Sequence, residues 1–97
     1  MNNTNQQRKQ GIVTVVGIDR IGIIATVSAA LAEYKLNIVD IRQTVMNEFF
    51  TMIMVVDLAQ AAHTLKDLQS KLAEIGTEQN LQITLQSEEI FHVMHRI

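Results

Sequence analysis

Apolar and polar positions follow two rhythms along the 97-residue chain, and each change of rhythm marks an element. Ile12 to Val16 is apolar on both faces except at Thr14, the pattern of a strand buried in the middle of a sheet. From Ile23 the apolar positions Ile23, Ile24, Val27, Ala30, Leu31 and Tyr34 fall within about 120° of arc at about 100° per residue, one stripe of an amphipathic helix. The opposite side carries Ala25, Ser28, Ala29 and Ala32; small residues there accept a second helix closely, but alanine is also the best helix former. Asn37 breaks this pattern. Ile38 to Met46 then alternates, with Val39, Ile41 and Val45 on one side and Asp40, Arg42 and Thr44 on the other, which predicts an edge strand with one wet face. Asn47-Glu48 reads as a short turn, since asparagine tolerates positive φ. Phe49 to Val56, apolar on both faces apart from Thr51, is a second central strand.

Leu58 to His63 has no clear period and reads as an irregular link or an early helical turn. Thr64 with Asp67 three residues on resembles a capping box, Leu65, Leu68, Leu72 and Ile75 form a stripe, and Gly76 is the expected stop. Leu81, Ile83 and Leu85 alternate with Gln82, Thr84 and Gln86 in a fourth, half-wet strand. A last helix, 87–97, opens at Ser87 as N-cap with Glu88 and Glu89 in its first turn and His95 and Arg96 in its last, charges that suit the helix dipole at both ends.

Strand, helix, strand, strand, helix, strand, with right-handed crossovers, is the ferredoxin-like α+β plan: a four-stranded antiparallel sheet, two helices on one face, and an extra C-terminal helix. Because both central strands are apolar on both faces, the second face needs either the C-terminal helix or another copy of the chain, and a homodimer is expected. Residues 1–10 are polar and read as a disordered tail; 11–97 make one domain.

Composition narrows what such a domain does. A formal net charge of −2, with no block of lysine or arginine, speaks against nucleic acid and against anionic membranes. No cysteine is present, which excludes disulfides, thiol catalysis and cysteine-bound zinc. No apolar run reaches the roughly 20 residues of a membrane span and the N-terminus lacks a signal-peptide core, so a cytoplasmic protein is expected. There is no Ser-His-Asp order, metalloprotease motif or close carboxylate pair, so no catalytic residue is assigned, and no cofactor is called for.

The junction of the first strand and helix carries the chemistry. Gly17-Ile-Asp19-Arg-Ile-Gly22 aims backbone N–H groups and the positive end of a helix dipole at one spot, which suits a small ligand with a carboxylate. It looks like the dinucleotide fingerprint, but Asp19 replaces the glycine that lets pyrophosphate approach, and Asp40, where a ribose-binding acid would be sought, falls inside a strand. The plainer reading is that Gly17 turns the chain and Asp19 caps the helix. Gln43 stands out: a polar residue among inward-facing Val39, Ile41 and Val45 is either buried and hydrogen-bonded or reaches a ligand. Glu88, His92 and His95 share a helix face at metal-binding spacing, but read more simply as a solvated face, so no metal is assigned.

Val-Thr-Val-Val-Gly-Ile-Asp-Arg-Ile-Gly-Ile-Ile-Ala-Thr-Val-Ser (13–28), then Leu31, then Asn-Ile-Val-Asp-Ile-Arg-Gln-Thr-Val (37–45), resembles the ACT domain. The likeness extends from Ile12 to about Gln86 and is greatest to small stand-alone bacterial members, themselves similar to the glycine cleavage system transcriptional repressor and to the N-terminal domain of formyltetrahydrofolate deformylase. It implies a non-enzymatic regulatory module that binds an amino acid or related metabolite at a homodimer interface and acts on a partner protein. By position, Asp19, Arg20, Ile21, Gly22 and Ile23 would supply the loop and its backbone donors, and Asn37 and Ile38 of the neighbouring subunit would complete the site. The rival readings are a structural interaction module with no ligand, and an acylphosphatase-like enzyme using Arg20 to hold phosphate and Asn37 to position water. RNA recognition through Phe49 and Phe50 fits less well, since only one of two neighbouring strand residues faces an open sheet.

Overall fold

The two runs that are apolar on both faces lie side by side in the middle of a single sheet. The structure, a computed structural model, describes residues 9–89. In chain order it contains β1 (Gln10–Ile18), α1 (Ile23–Glu33), β2 (Asn37–Met46), β3 (Phe49–Asp57), α2 (Leu65–Gln79) and β4 (Leu81–Ser87). The sheet order is β2-β3-β1-β4, antiparallel throughout, so the ferredoxin-like plan and the central places of β1 and β3 are as expected. β1 begins at Gln10, opposite Asp57, and the Lys9 carbonyl accepts from the Leu58 N–H at 2.8 Å, so the fold starts slightly before residue 11.

One face of the sheet makes the core. Val13 and Val15 of β1, Phe50, Met52, Met54 and Val56 of β3, and Leu81, Ile83 and Leu85 of β4 are buried there against Ile23, Val27 and Leu31 of α1 and Leu68 and Leu72 of α2. Among the described residues, none that is polar or charged is buried. The alternate strand positions turn to the other face, where Val16, Ile18, Phe49 and Ile53 stay between 36% and 51% exposed. The helix expected to run from 87 to 97 lies outside the described residues beyond Glu89; Ser87 is the last residue of β4, and Glu88 and Glu89 are helical.

Three local expectations are corrected. Helix α1 ends at Glu33, before Asn37, with Lys35 at φ 65. The Leu36 N–H reaches Leu31 O at 2.9 Å and the Lys35 N–H reaches Ala32 O at 3.0 Å, a Schellman closure with lysine where glycine is usual. In β2 the register slips between Ile38 and Asp40, so Val39 is the extra residue of a bulge. Ile38, opposite Val56, therefore lies on the core side with Ile41, Gln43 and Val45, and Val39 is exposed. Gly76 does not stop α2, which runs to Gln79 and ends on Asn80 at φ 59. Glycine is needed at 76 for another reason: a Cβ there would stand 2.5 Å from Leu81 O, where the helix crosses β4.

The start of α2 is capped as expected, Thr64 Oγ1 accepting from the Asp67 N–H at 3.1 Å. Thr64→Ala should lower stability by about 1 kcal/mol, seen as a lower urea midpoint with unchanged slope. His63, in the preceding link, meets Tyr34 edge-on with ring centroids 5.9 Å apart.

Candidate functional site

The loop between β1 and α1 is braced from two sides. The Asp19 N–H donates to Glu48 O at 2.8 Å, fastening the loop to the β2–β3 turn. Arg20 donates through Nη2 to Gln79 O at 2.6 Å and to Gln79 Oε1 at 3.4 Å, placing its positive charge at the C-terminal end of α2, where the helix dipole favours a cation.

Between these anchors the chain enters α1 through Gly22, at φ 93 and ψ 0. The space around it is open, so backbone conformation rather than crowding asks for glycine there. The first helical bond is Thr26 N–H to Gly22 O, 2.9 Å. That leaves the N–H groups of Ile23, Ile24 and Ala25 without an acceptor among the described residues. Among the described residues no side chain caps this helix, and its first turn holds no acid, in contrast to α2 with Thr64 and Asp67. Asp19 is therefore not the cap of the plainer sequence reading.

The uncapped start opens into a cavity of about 710 Å³, within the usual range of ligand pockets. Asp19, Arg20 and Gly22 line it from the loop, Ile23 to Ala25 from the first helical turn, Gln43 to Val45 from β2 and Phe50 from β3. The walls are largely apolar, and the side chains of Asp19 and Gln43 have no hydrogen-bond partner among the described residues. Gln43 is exposed, so of its two sequence readings the buried one is excluded.

Of the seven residues expected at the site, Asp19, Arg20, Gly22 and Ile23 meet in this cavity. Ile21 points to solvent, 99% exposed, outside the lining. Asn37 and Ile38 lie at the other end of the sheet: they pair with Asp57 and Val56, whereas the loop follows Ile18, which pairs with Phe49 beside Met46. One protomer does not bring them to the loop. Arg20 and Asn37 are separated in the same way, which removes the acylphosphatase arrangement within one chain. Ile24, Ala25, Val45 and Phe50 went unassigned to the site from sequence because apolar residues at core spacing carry no sign that a cavity borders them. Phe50 faces the core, so it is not a stacking platform; Phe49 alone of the pair faces the open sheet.

The fold is a ferredoxin-like α+β sandwich with an uncapped α1 and an open pocket at the β1–α1 loop. The chain belongs to the ACT-domain family, whose sequence profile matches residues 9–86. ACT domains are regulatory ligand-binding modules, and the fold accords with that role. Among relatives, the UPF0237 protein of Methanococcus maripaludis is 46% identical over 86 residues, 89% of this chain and 96% of that one. Among solved structures, an ACT domain protein from Streptococcus pneumoniae aligns with a TM-score of 0.77 at 42% identity, covering 86% of this chain and 93% of that one. A formyltetrahydrofolate deformylase from Pseudomonas syringae aligns with a TM-score of 0.75 at 20% identity, over 81% of this chain and 27% of its own. A putative glycine cleavage system transcriptional repressor gives 0.71 at 22%, over 82% and 46%. The last two show likeness of fold alone. No helix among the described residues is long and apolar enough to cross a membrane.

Proposed function

We propose that this protein is a non-catalytic regulatory module that binds a small amino acid or related metabolite at the start of α1 and passes the occupancy of that site to a partner protein. The observation that carries the reading is the α1 N-terminus: three backbone donors, no cap and no acid in the first turn, open to a cavity. A ligand carboxylate takes those donors, as anions do at helix starts, and the unpaired Asp19 carboxylate takes the ammonium.

The cavity is closed by a second copy of the chain. Its rim is apolar and open, with Ile24 41% and Val45 51% exposed. Two copies whose β2 edges meet about a twofold axis run antiparallel there, which carries the partner's Asn37 and Ile38 toward this chain's Val45.

Calorimetric titration of the full chain with each of the twenty amino acids tests the reading. At least one should bind at one ligand per chain, the protein should sediment as a dimer, and Asn37→Ala should weaken that ligand at least tenfold. Silence across the panel overturns the proposal, whereas binding that Asn37→Ala leaves unchanged removes only the partner's share in the site.

A further inference from the structure

Gln43 has no part in the scheme above, yet it lines the same cavity. It sits opposite fully buried Met52, on the core side of β2 between Ile41 and Val45, at a position where the strand pattern calls for an apolar residue. Its amide lacks a hydrogen-bond partner among the described residues. We infer that Gln43 selects the ligand's side chain, and that the preferred ligand is an amino acid with an uncharged hydrogen-bonding side chain, a carboxamide above all. This rests on the reading of the α1 start as the seat of the ligand's carboxylate.

Three features of the lining lead there. The first is placement: β2 lies two strands from β1, roughly 10 Å across the sheet, with Phe50 of β3 between them. A ligand held by its carboxylate at α1 and by its ammonium at Asp19 extends the remainder of itself over Phe50 toward Gln43. The second is charge. The lining holds one acid and one base, Asp19 and Arg20, and the Arg20 guanidinium is engaged with Gln79. With Asp19 on the ammonium, a charged ligand side chain meets no counter-charge from this chain's own described lining. The third is the amide itself, which offers a donor and an acceptor together. An aliphatic ligand displaces water from that amide and gives nothing back, whereas a carboxamide satisfies both of its groups at once.

Titration of the wild-type chain and of Gln43→Leu with L-asparagine, L-glutamine, L-alanine, L-leucine, L-glutamate and L-lysine tests this. Wild type should bind asparagine or glutamine at least tenfold more tightly than leucine, glutamate or lysine. Gln43→Leu should reverse the order of leucine and the amides. Circular dichroism and the urea midpoint report that the variant is folded, and the wild-type ranking tests the inference without any variant. A wild-type preference for leucine, glutamate or lysine, or an unchanged ranking in Gln43→Leu, overturns the assignment of Gln43 and leaves the α1 site standing. No binding by any amino acid overturns both.

Discussion

Gly76→Ala should destabilise the domain by up to about 2 kcal/mol, although helix propensity alone favours alanine over glycine by about 1 kcal/mol. Position 76 lies within α2, not beyond its end, so the propensity gain applies in full. Against it stands the crossing of α2 over β4, where the new methyl would be 2.5 Å from Leu81 O and 3.3 Å from Ile83 N. Both are backbone atoms, and residues 81 and 83 belong to the ladder with Gly17 and Val15, so neither moves alone. The helix must lift instead, drawing Leu68 and Leu72 from the core and stretching the 2.8 Å bond from Gln69 Nε2 to Leu85 O. Overpacking of this kind costs about 1–3 kcal/mol, which exceeds the propensity gain through most of that range. Urea unfolding of Gly76→Ala beside Ser70→Ala, an exposed site on the same helix, separates the two terms. Ser70→Ala should hold or raise the midpoint and Gly76→Ala should lower it; equal midpoints would mean that the close crossing constrains nothing.

Gly76 also illustrates what the amino-acid pattern reveals and what it withholds. The order of strands and helices, the central places of β1 and β3 and the core stripe of α2 were legible because burial imposes periods of 2 and 3.6 that side chains record directly. A glycine near a helix end records only that something excludes a Cβ. Left-handed backbone and close approach leave the same letter, and the stop itself came at Asn80, with the corresponding stop of α1 involving a lysine. The Val39 bulge was hidden because one inserted residue inside an apolar-rich strand leaves the alternation readable in either register. The site was legible by halves. Gly22 and Asp19 announced the loop, while β2 declared itself only through Gln43, a polar residue out of pattern. Asn37 and Ile38 entered through resemblance, and in one chain they stand at the far end of the sheet.

Ala25→Glu should strengthen the fold and weaken ligand binding roughly a hundredfold, and the opposed signs make it the most discriminating substitution at the site. Ala25 is exposed in the first turn of α1, which has neither an acid nor a side-chain cap, so a carboxylate there is complementary to the helix dipole without crowding the core. That interaction is worth about 0.5 kcal/mol, or a rise of about 3 °C in the thermal midpoint for a domain of this size. The same carboxylate lies beside the donors assigned to the ligand. At about 5 Å and an effective dielectric constant near 20, two like charges repel by about 3 kcal/mol, roughly a hundredfold in affinity. Ala25→Lys should act in the opposite sense on both measures, lowering the midpoint slightly and retaining or tightening the ligand. If Ala25→Glu is more stable than wild type and still binds the strongest amino acid of the panel undiminished, the carboxylate does not sit at the start of α1. Were binding lost together with stability, the loss would report damage to the helix rather than repulsion, since a charge acting only through the dipole moves the two quantities apart.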